Sequence, residues 1–210
     1  MTWARMKLIV LANQKGGCGK STVCAHLAVE SARRGQRSAI IDTDPQGSLV
    51  AWWNARQAQD PILVQAAPDA LGQASELLKS KGVEWLFVDT PPALSKEIRR
   101  VCTFANLVLI PVRPSPHDLR SVAATVATVE SLEKPMVFVV NSATKRARIT
   151  AEASIVLSQH GTVAPVQVGH RVDFANSMTD GRTVQELDPS SPSADEIKQL
   201  WEYVLTRVRK

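Results

Sequence analysis

Residues 15–22 read Lys-Gly-Gly-Cys-Gly-Lys-Ser-Thr and lie between an apolar segment and a helix-like segment. Glycines let successive backbone N–H groups turn toward one anion, and a following helix adds the partial positive charge of its first turn. In such a loop Lys20 reaches the β- and γ-phosphates of a nucleotide, and Ser21 offers a hydroxyl to Mg²⁺. We therefore predict nucleotide binding by the whole loop: Lys15, Gly16, Gly17, Cys18, Gly19, Lys20, Ser21 and Thr22.

Strand-like and helix-like segments alternate along the chain on both sides of this loop. Apolar runs that end at turn residues predict buried parallel strands at residues 6–12, 38–42, 85–89, 107–112, 136–141 and 163–168. Apolar residues at helical spacing predict helices at 21–34, 68–81, 118–132 and 149–160, with a last helix introduced by residues 188–193. Repeated β–α–β units predict an α/β fold with a mostly parallel, twisted sheet and helices on both faces.

Composition narrows the class of protein. With 210 residues, 44% hydrophobic and 21% charged, the chain is expected to form a single folded domain over residues 1–210. The three cysteines have no metal-binding spacing, which favours reduced thiols in the cytoplasm. A net charge of +5 favours polyanionic partners, although charge alone leaves a basic protein without nucleic acid equally open.

Carboxylates follow two of the predicted strands. Residues 40–47 read IIDTDPQG, and the alternate spacing of Asp42 and Asp44 on an extended segment points both side chains the same way. That direction is the carboxyl edge of the sheet, where open α/β sheets bind ligands, although a plain Asp-Pro turn is the alternative. Residues 85–92 read WLFVDTPP, and an apolar strand ending in Asp89 is typical of a Walker B carboxylate that holds a Mg²⁺-bound water.

The glycine loop departs from the usual phosphate-loop pattern, because Gln14 stands where the first glycine belongs. With Lys15, the pattern KGGxGKST resembles the deviant loop of the ParA/MinD/nitrogenase iron protein group, and residues 42–47 resemble its DxDPQG segment. The resemblance covers residues 7–204. It implies a P-loop ATPase that uses ATP and Mg²⁺ and forms an ATP-dependent homodimer, in which Lys15 reaches the nucleotide of the partner.

The resemblance also implies roles for single residues. The implied catalytic residues are Lys15, Lys20 and Asp44, of which Asp44 positions the attacking water. The implied metal ligands are Ser21, Asp42 and Asp89, with Asp42 acting through water. Residues 90–95 correspond to the switch segment that senses the γ-phosphate.

A second stretch at the same edge extends the resemblance. Residues 111–119 read PVRPSPHDL and resemble the PxxPSPxD stretch of small ParA proteins, which lies near the base and at the dimer face. The resemblance therefore implies nucleotide contacts for Pro111 and Pro114. Asn141 resembles the adenine contact of the family, although a strand-ending turn residue is a nearly equal alternative.

Other features separate the branches of this group. The iron–sulfur branch needs two cluster cysteines from each subunit, but only Cys102 lies in a comparable region. MinD-like proteins end in a basic amphipathic helix that binds membrane, and residues 197–208 show such spacing, but a helix docked on the core is the favoured interpretation. Only about a dozen residues precede the loop, so we expect none of the DNA-binding region of large ParA proteins.

The short ParA branch remains, and it implies a plasmid-partition ATPase. Such a protein binds DNA without sequence preference when ATP-bound, and a small centromere-binding partner of the ParB type stimulates its slow hydrolysis. The expected location is the cytoplasm, on the nucleoid, with no stable membrane association; a MinD-like membrane-associated positioning ATPase is the alternative. The predicted DNA contacts are Arg171, Lys145, Arg146, Arg148 and Arg182, and a solvated basic face is the bland alternative.

Overall fold

Parallel strands form the centre of the molecule. The computed structural model describes residues 6–92 and 96–208. Its strands are β1 (Lys7–Leu11), β2 (Ser38–Asp42), β3 (Ile62–Val64), β4 (Trp85–Asp89), β5 (Leu107–Val112), β6 (Met136–Val140) and β7 (Thr162–Val163). They form one sheet in the order β3-β2-β4-β1-β5-β6-β7, and each neighbouring pair is parallel.

Helices connect the strands and cover the sheet. They are α1 (Lys20–Arg33), α2 (Ser48–Ala55), α3 (Leu71–Ser80), α4 (Lys96–Thr103), α5 (Pro116–Glu130), α6 (Arg148–Ser158), α7 (Val172–Met178), α8 (Val184–Leu187) and α9 (Pro192–Val208). Because β1 lies between β4 and β5, the segments that follow these three strands emerge together at the carboxyl edge of the sheet. This edge is where the predicted site residues converge.

Two hydrophobic cores lie on opposite faces of the sheet. Side chains alternate along β1, so that Ile9 and Leu11 join one core while Leu8 and Val10 join the other. The first core contains residues of α1, α2, α8 and α9, and the second contains residues of α3, α4, α5 and α6. Burial on both faces explains why the strands read as nearly continuous apolar runs.

The last helix is docked on the first core. Ile197, Leu200, Trp201 and Val204 of α9 have no exposed surface, and the Trp201 ring lies 4.6 Å from that of Trp85. Each such side chain contributes about 1.5–3 kcal/mol on burial, so releasing this face would remove much of the roughly 5–15 kcal/mol that stabilises a domain. The docked interpretation of this amphipathic helix is therefore the one that the structure shows.

The α/β prediction is confirmed, and the sheet is parallel throughout its described pairings. The strand predicted for residues 163–168 is too long. Only Thr162–Val163 pairs as β7; the Ala164 N–H still bonds to the Phe138 carbonyl at 2.8 Å, and the chain then bends at Pro165 and Val166. Single backbone contacts continue beyond it, such as the Val168 N–H bond to the Val140 carbonyl at 2.9 Å. The sequence patterns did not predict α2, β3, α4, α7 or α8.

Candidate nucleotide-binding site

The glycine loop connects the end of β1 to the first residue of α1, as the sequence predicts. Gly17 and Gly19 have φ values of 69° and 95°, in the left-handed region that favours glycine. A Cβ on Gly19 would also stand 2.0 Å from Nδ2 of Asn141. Gly19 is therefore required both for its backbone conformation and for the close approach of Asn141.

The amino end of α1 is open to an anion. Gly19 occupies the N-cap position, no side chain in the described part of the chain caps the helix, and its first turn carries no acidic residue. The first N–H groups of α1 therefore lack partners from the helix itself, and their partial positive charge suits an anion. Lys20 is 6% exposed, and its Nζ donates to the Lys15 carbonyl at 3.3 Å. This uncapped helix end, with a buried lysine beside it, fits a polyphosphate.

Side chains beneath the loop fix its shape. The Asn13 amide accepts from the Lys15 N–H at 2.9 Å and donates to the Pro111 carbonyl at 2.7 Å. Asn141 donates to the Cys18 carbonyl at 2.7 Å. Burial raises the pKa of the Cys18 thiol, and its S–H donates to the Lys15 carbonyl. Asn13 was overlooked in the sequence, although a polar residue directly after a buried strand was the available signal.

Asp89 ends β4 in a buried position. It is 1% exposed, its Oδ1 accepts from the Thr90 N–H at 3.1 Å, and its Oδ2 is within hydrogen-bond distance of no donor in the described part of the chain. Burial raises the pKa of Asp89 to about 7, while the Ser21 hydroxyl beside it lowers the pKa. A buried carboxylate oxygen without a partner is costly unless a cation or water satisfies it.

Asp42 ends β2 directly beside Asp89 in the sheet register. Its Oδ1 accepts from the Asp44 N–H at 2.9 Å, and its Oδ2 accepts from the N–H groups of Leu49 and Val50, the second and third residues of α2. Asp44 uses Oδ1 to accept from the Gln46 N–H. Asp42 therefore anchors α2 to the sheet, whereas Oδ2 of Asp44 has no hydrogen-bond partner in the described part of the chain.

The donor set suits magnesium held by a nucleotide. No group of three or more His, Cys, Asp or Glu side chains among the described residues is placed to hold a metal alone. Magnesium in nucleotide sites takes few protein ligands and fills its octahedron with phosphate oxygens and waters. Ser21 and the unpartnered Oδ2 of Asp89 match that requirement.

The other residues predicted at this edge are placed as follows. Gly16 and Gly17 are exposed, and Lys15, Gly19, Ser21 and Thr22 are half-buried. Pro111 lies inside β5, where its carbonyl holds Asn13, while Pro114 is half-buried in the loop that follows. Asn141 packs against the glycine loop. Of the predicted switch segment 90–95, residues 93–95 lie outside the described residues.

The predicted DNA contacts fall into two groups. Lys145 and Arg171 line one open pocket of about 430 Å³ beyond the end of β6, and the exposed Arg146 and Arg148 adjoin Lys145 in the chain. Arg171 is bonded to Glu196 at 2.7 Å, and Arg148 to Glu152 at 2.6 Å. Arg182 lines a different pocket and is paired with Asp180.

The positive charge in the first group is therefore only partly available. Lys145 and Arg146 have no bonded partner in the described part of the chain. They are the members of the group whose charge is unopposed at the surface. The ion pair of Arg171 with Glu196 raises the pKa of Arg171, so this arginine presents its charge beside a carboxylate.

Comparison with known proteins places this site in a family. Residues 9–184 match the family model described as the CobQ/CobB/MinD/ParA nucleotide binding domain. The chain is 31% identical to the maintenance of carboxysome distribution protein A of Halothiobacillus neapolitanus, over 94% of this chain and 95% of that protein. It is 28% identical to the chromosome-partitioning ATPase Soj of Thermus thermophilus, over the full length of both.

A solved structure shares the fold. The septum site-determining protein MinD of Pyrococcus horikoshii, complexed with Mg-ADP, superposes with a TM-score of 0.79 over 95% of this chain and 96% of its own, at 16% identity.

Proposed function

The chain belongs to the CobQ/CobB/MinD/ParA family of nucleotide-binding domains and is an ATPase of the ParA/MinD type, and we propose that it works as a short ParA-type partition ATPase. In this proposal ATP binding drives homodimerisation, the dimer binds DNA without sequence preference, and a small ParB-type partner stimulates slow hydrolysis. The cycle segregates a plasmid or a chromosome. The proposal rests on the glycine loop with its additional Lys15, and its DNA-binding part rests on Lys145 and Arg146, which are exposed and have no partner in the described part of the chain.

Nucleotide binding follows from groups already in place. The uncapped N–H groups of α1 and the ammonium of Lys20 bind the phosphates, and Lys15 is half-buried at the rim of the loop, where it can reach a second subunit. Three residues would hold Mg²⁺: Ser21 directly, and Asp89 and Asp42 through water. Bound Mg²⁺ supplies neutralisation of phosphate charge.

Hydrolysis requires a water held in line with the γ-phosphorus. One Asp44 carboxylate oxygen accepts from the Gln46 N–H and the other has no partner among the described residues, and we assign Asp44 to hold this water. In phosphoryl transfer the protein contributes chiefly positioning and electrostatic stabilisation, so the rate depends on how firmly the segment that carries Asp44 is held. The hydrogen bonds from α2 to Asp42 hold this segment on one side.

DNA binding is assigned to Lys145 and Arg146 first, to Arg171 and Arg148 second, and to Arg182 last. The first two are unpaired in the described part of the chain, while the others already have carboxylate partners. Phosphate contacts by lysine and arginine release counterions, so binding should weaken as salt rises. The proposed location is the nucleoid, in the cytoplasm.

The membrane-associated alternative has less support. Its anchor would be the apolar face of α9, but that face is buried against the core. None of the described helices is both long enough and apolar enough to cross a bilayer. The family also contains proteins that position other cargo, as the name of the Halothiobacillus relative states, and the cargo of this chain is part of the proposal.

The decisive experiment is DNA retention by the purified protein with ATP, with ADP and without nucleotide, at two salt concentrations. We expect binding only with ATP, and weaker binding at higher salt. The double variant Lys145→Ala/Arg146→Ala should weaken retention and lower the slope of log K against log salt by about 2, since each phosphate contact contributes about 0.9.

The matched control removes two exposed lysines elsewhere, in the variant Lys79→Ala/Lys81→Ala. These residues lie at the opposite edge of the sheet, where the Lys81 carbonyl accepts from Arg37 just before β2. The control has the same net charge as the test variant and should retain DNA like the parent. Equal losses of DNA retention in both variants would mean that net charge, and not the position of Lys145 and Arg146, causes the effect. If the parent retains no DNA in any nucleotide state, the proposal is overturned.

A further inference from the structure

Arg113 lies beside the glycine loop. It directly follows β5, and β5 is a neighbour of β1, whose end leads into the loop. Its Nη1 atom lies 4.0 Å from the position that a Cβ on Gly17 would occupy. The Arg113 side chain is 40% exposed, so its guanidinium lies at the open side of the loop and not within the core.

Asp118 holds one edge of this guanidinium. The Nε of Arg113 donates to Oδ1 of Asp118 at 3.2 Å, and Asp118 is only 2% exposed. Asp118 is held in turn by Ser115, whose hydroxyl donates to Oδ2 and accepts from the Asp118 N–H as the N-cap of α5. The first turn of α5 therefore fixes where Arg113 points.

The other edge of the guanidinium has no hydrogen-bond partner in the described part of the chain. In residues 6–92 and 96–208 no acceptor bonds either Nη atom of Arg113. Arginine offers five N–H donors in a planar fork, and a carboxylate bonded to Nε leaves the remaining donors for a second anion.

The electrostatic setting also calls for an anion. Arg113 stands over an uncapped helix amino terminus with Lys20 beside it, so positive charge converges at the loop. A cation near a helix amino terminus is unfavourable by itself. An ion pair with Asp118 alone would not require the arginine to face the loop.

We propose that Arg113 is a phosphate-binding residue of the nucleotide site, with its Nη atoms contacting the polyphosphate in the glycine loop while its Nε stays on Asp118. The inference deepens the proposed function, because it rests on the use of this loop for ATP. In the neighbouring 111–119 stretch the resemblance implies contacts with the base, whereas the position of Arg113 over Gly17 assigns it to the phosphates.

The test compares Arg113→Gln, which keeps an N–H donor for Asp118 but loses the charge, with Arg113→Lys, which keeps the charge. The matched control is Arg120→Gln on α5, because Arg120 is exposed and has no bonded partner among the described residues. Binding of ATP, ADP and tripolyphosphate is measured by calorimetry, and folding of each variant is checked by thermal unfolding. Tripolyphosphate has no base, so it isolates the phosphate contact.

We expect Arg113→Gln to weaken the binding of tripolyphosphate and both nucleotides by about 10- to 100-fold, the range for one charge-assisted hydrogen bond. Arg113→Lys should lose less, and Arg120→Gln should stay within about twofold of the parent. Unchanged tripolyphosphate affinity in a folded Arg113→Gln variant would overturn the inference. A fall in ATP affinity alone would not rescue it, because a loss seen only with the nucleotide would indicate a contact with the base.

The two proposals fail separately. A parent protein that binds tripolyphosphate through Arg113 but gains no affinity for DNA with ATP would overturn the partition proposal alone. A parent that binds neither ATP nor tripolyphosphate would overturn both.

Discussion

The ends of β2 and β4 carry the same sequence signal, an aspartate that closes an apolar strand, and they lie side by side in the sheet. Their environments differ. Asp42 accepts three backbone N–H bonds and ties α2 to the sheet. Asp89 is more deeply buried, and one of its oxygens has no hydrogen-bond partner among the described residues. The same signal has thus produced an anchor at one strand end and a buried, incompletely bonded carboxylate at the other.

This difference has an energetic side. Burial without full hydrogen bonding raises the pKa of Asp89 to about 7, so that its charge is a cost to the fold until a cation is bound. Asp42, with three N–H donors, contributes to the fold through its charge. The role of a strand-ending aspartate is therefore decided by its hydrogen-bond partners and not by the sequence motif.

The largest expected difference between the strand ends is catalytic and concerns Asp44, two residues beyond Asp42. Asp44→Ala should lower ATP turnover by about 100-fold or more, the range for a group that positions or activates the attacking water, and leave ATP binding intact. Turnover and nucleotide affinity are measured together. The control is Asp69→Ala, an exposed aspartate elsewhere, and equal turnover by the Asp44→Ala variant and the parent would remove Asp44 from the mechanism.

The next effect is a gain of stability at the end of β4. Raising the pKa of Asp89 from 3.8 to about 7 corresponds to about 4 kcal/mol of destabilisation once the group is ionised. Asp89→Asn should therefore stabilise the nucleotide-free protein at pH 8 by about 2–4 kcal/mol, less where the new amide lacks acceptors. Urea unfolding measures this change, with Asp69→Asn as the surface control.

The same variant should lose what Asp89 provides to the bound state. Mg·ATP raises the melting temperature of a protein that binds it, by an amount that grows with the logarithm of the ligand concentration divided by Kd. We expect this rise to be smaller in Asp89→Asn than in the parent. A variant that is less stable than the parent without nucleotide would show that the Asp89 carboxylate is a structural anchor like Asp42.

At the end of β2 the sign of the stability change should reverse. Asp42→Ala removes the acceptor for the N–H groups of Leu49 and Val50 and should destabilise the protein by about 1–3 kcal/mol. Hydrogen exchange at these two amides should accelerate. Asp44→Ala is the internal control, because among the described residues the Asp44 carboxylate accepts from the exposed Gln46 N–H alone. Unchanged exchange at both amides would mean that α2 is held by packing alone.

The sequence predicted this edge well because its signals are local. Gly17 and Gly19 adopt the positive φ values that a glycine-rich motif indicates, and carboxylates after apolar strands need only the direction of the chain. The different roles of Asp42 and Asp89 were not predictable, because α2 was not recognised and the partners of Asp42 lie in it. The role of Asn13 depends on Pro111, which is 98 residues away in the chain.

The sequence patterns also could not decide where β7 ends or what covers α9, because both depend on other parts of the fold. The pattern for residues 163–168 predicted a strand because apolar periodicity does not register the bend of the chain at Pro165 and Val166. For α9, by contrast, the apolar spacing was clear, but only the positions of Trp85 and α1 decide that its face is buried. Amphipathic spacing predicts that a face is covered, and the three-dimensional partner decides what covers it.

The smallest expected effect concerns the pH dependence of the unfolding free energy. Asp89 and His26 contribute to it with opposite signs, and the prediction separates the two contributions. Burial lowers the pKa of His26 to about 4; its Nδ1 lies 2.7 Å from the Thr22 carbonyl and its Nε2 accepts from the Val184 N–H. The contribution of neutral His26 to the free energy of unfolding is complete above pH 6.5. It is lost as pH falls toward 4, because in that range only the unfolded chain takes up the proton. Asp89 acts in the opposite direction, since its raised pKa makes stability fall as pH rises toward 7.

The two contributions should nearly cancel in the parent between pH 6.5 and 5, so that its unfolding free energy changes little over this range. Asp89→Asn removes one of them, and we expect this variant to lose about 2 kcal/mol from pH 6.5 to 5, at about 1.4 kcal/mol per pH unit. Adding His26→Gln should restore a flat profile, although that double variant is less stable at every pH because a buried ring is replaced. A parent and an Asp89→Asn variant with parallel profiles would show that Asp89 is ionised at neutral pH without cost, and the contrast between the two strand ends would then be one of geometry alone.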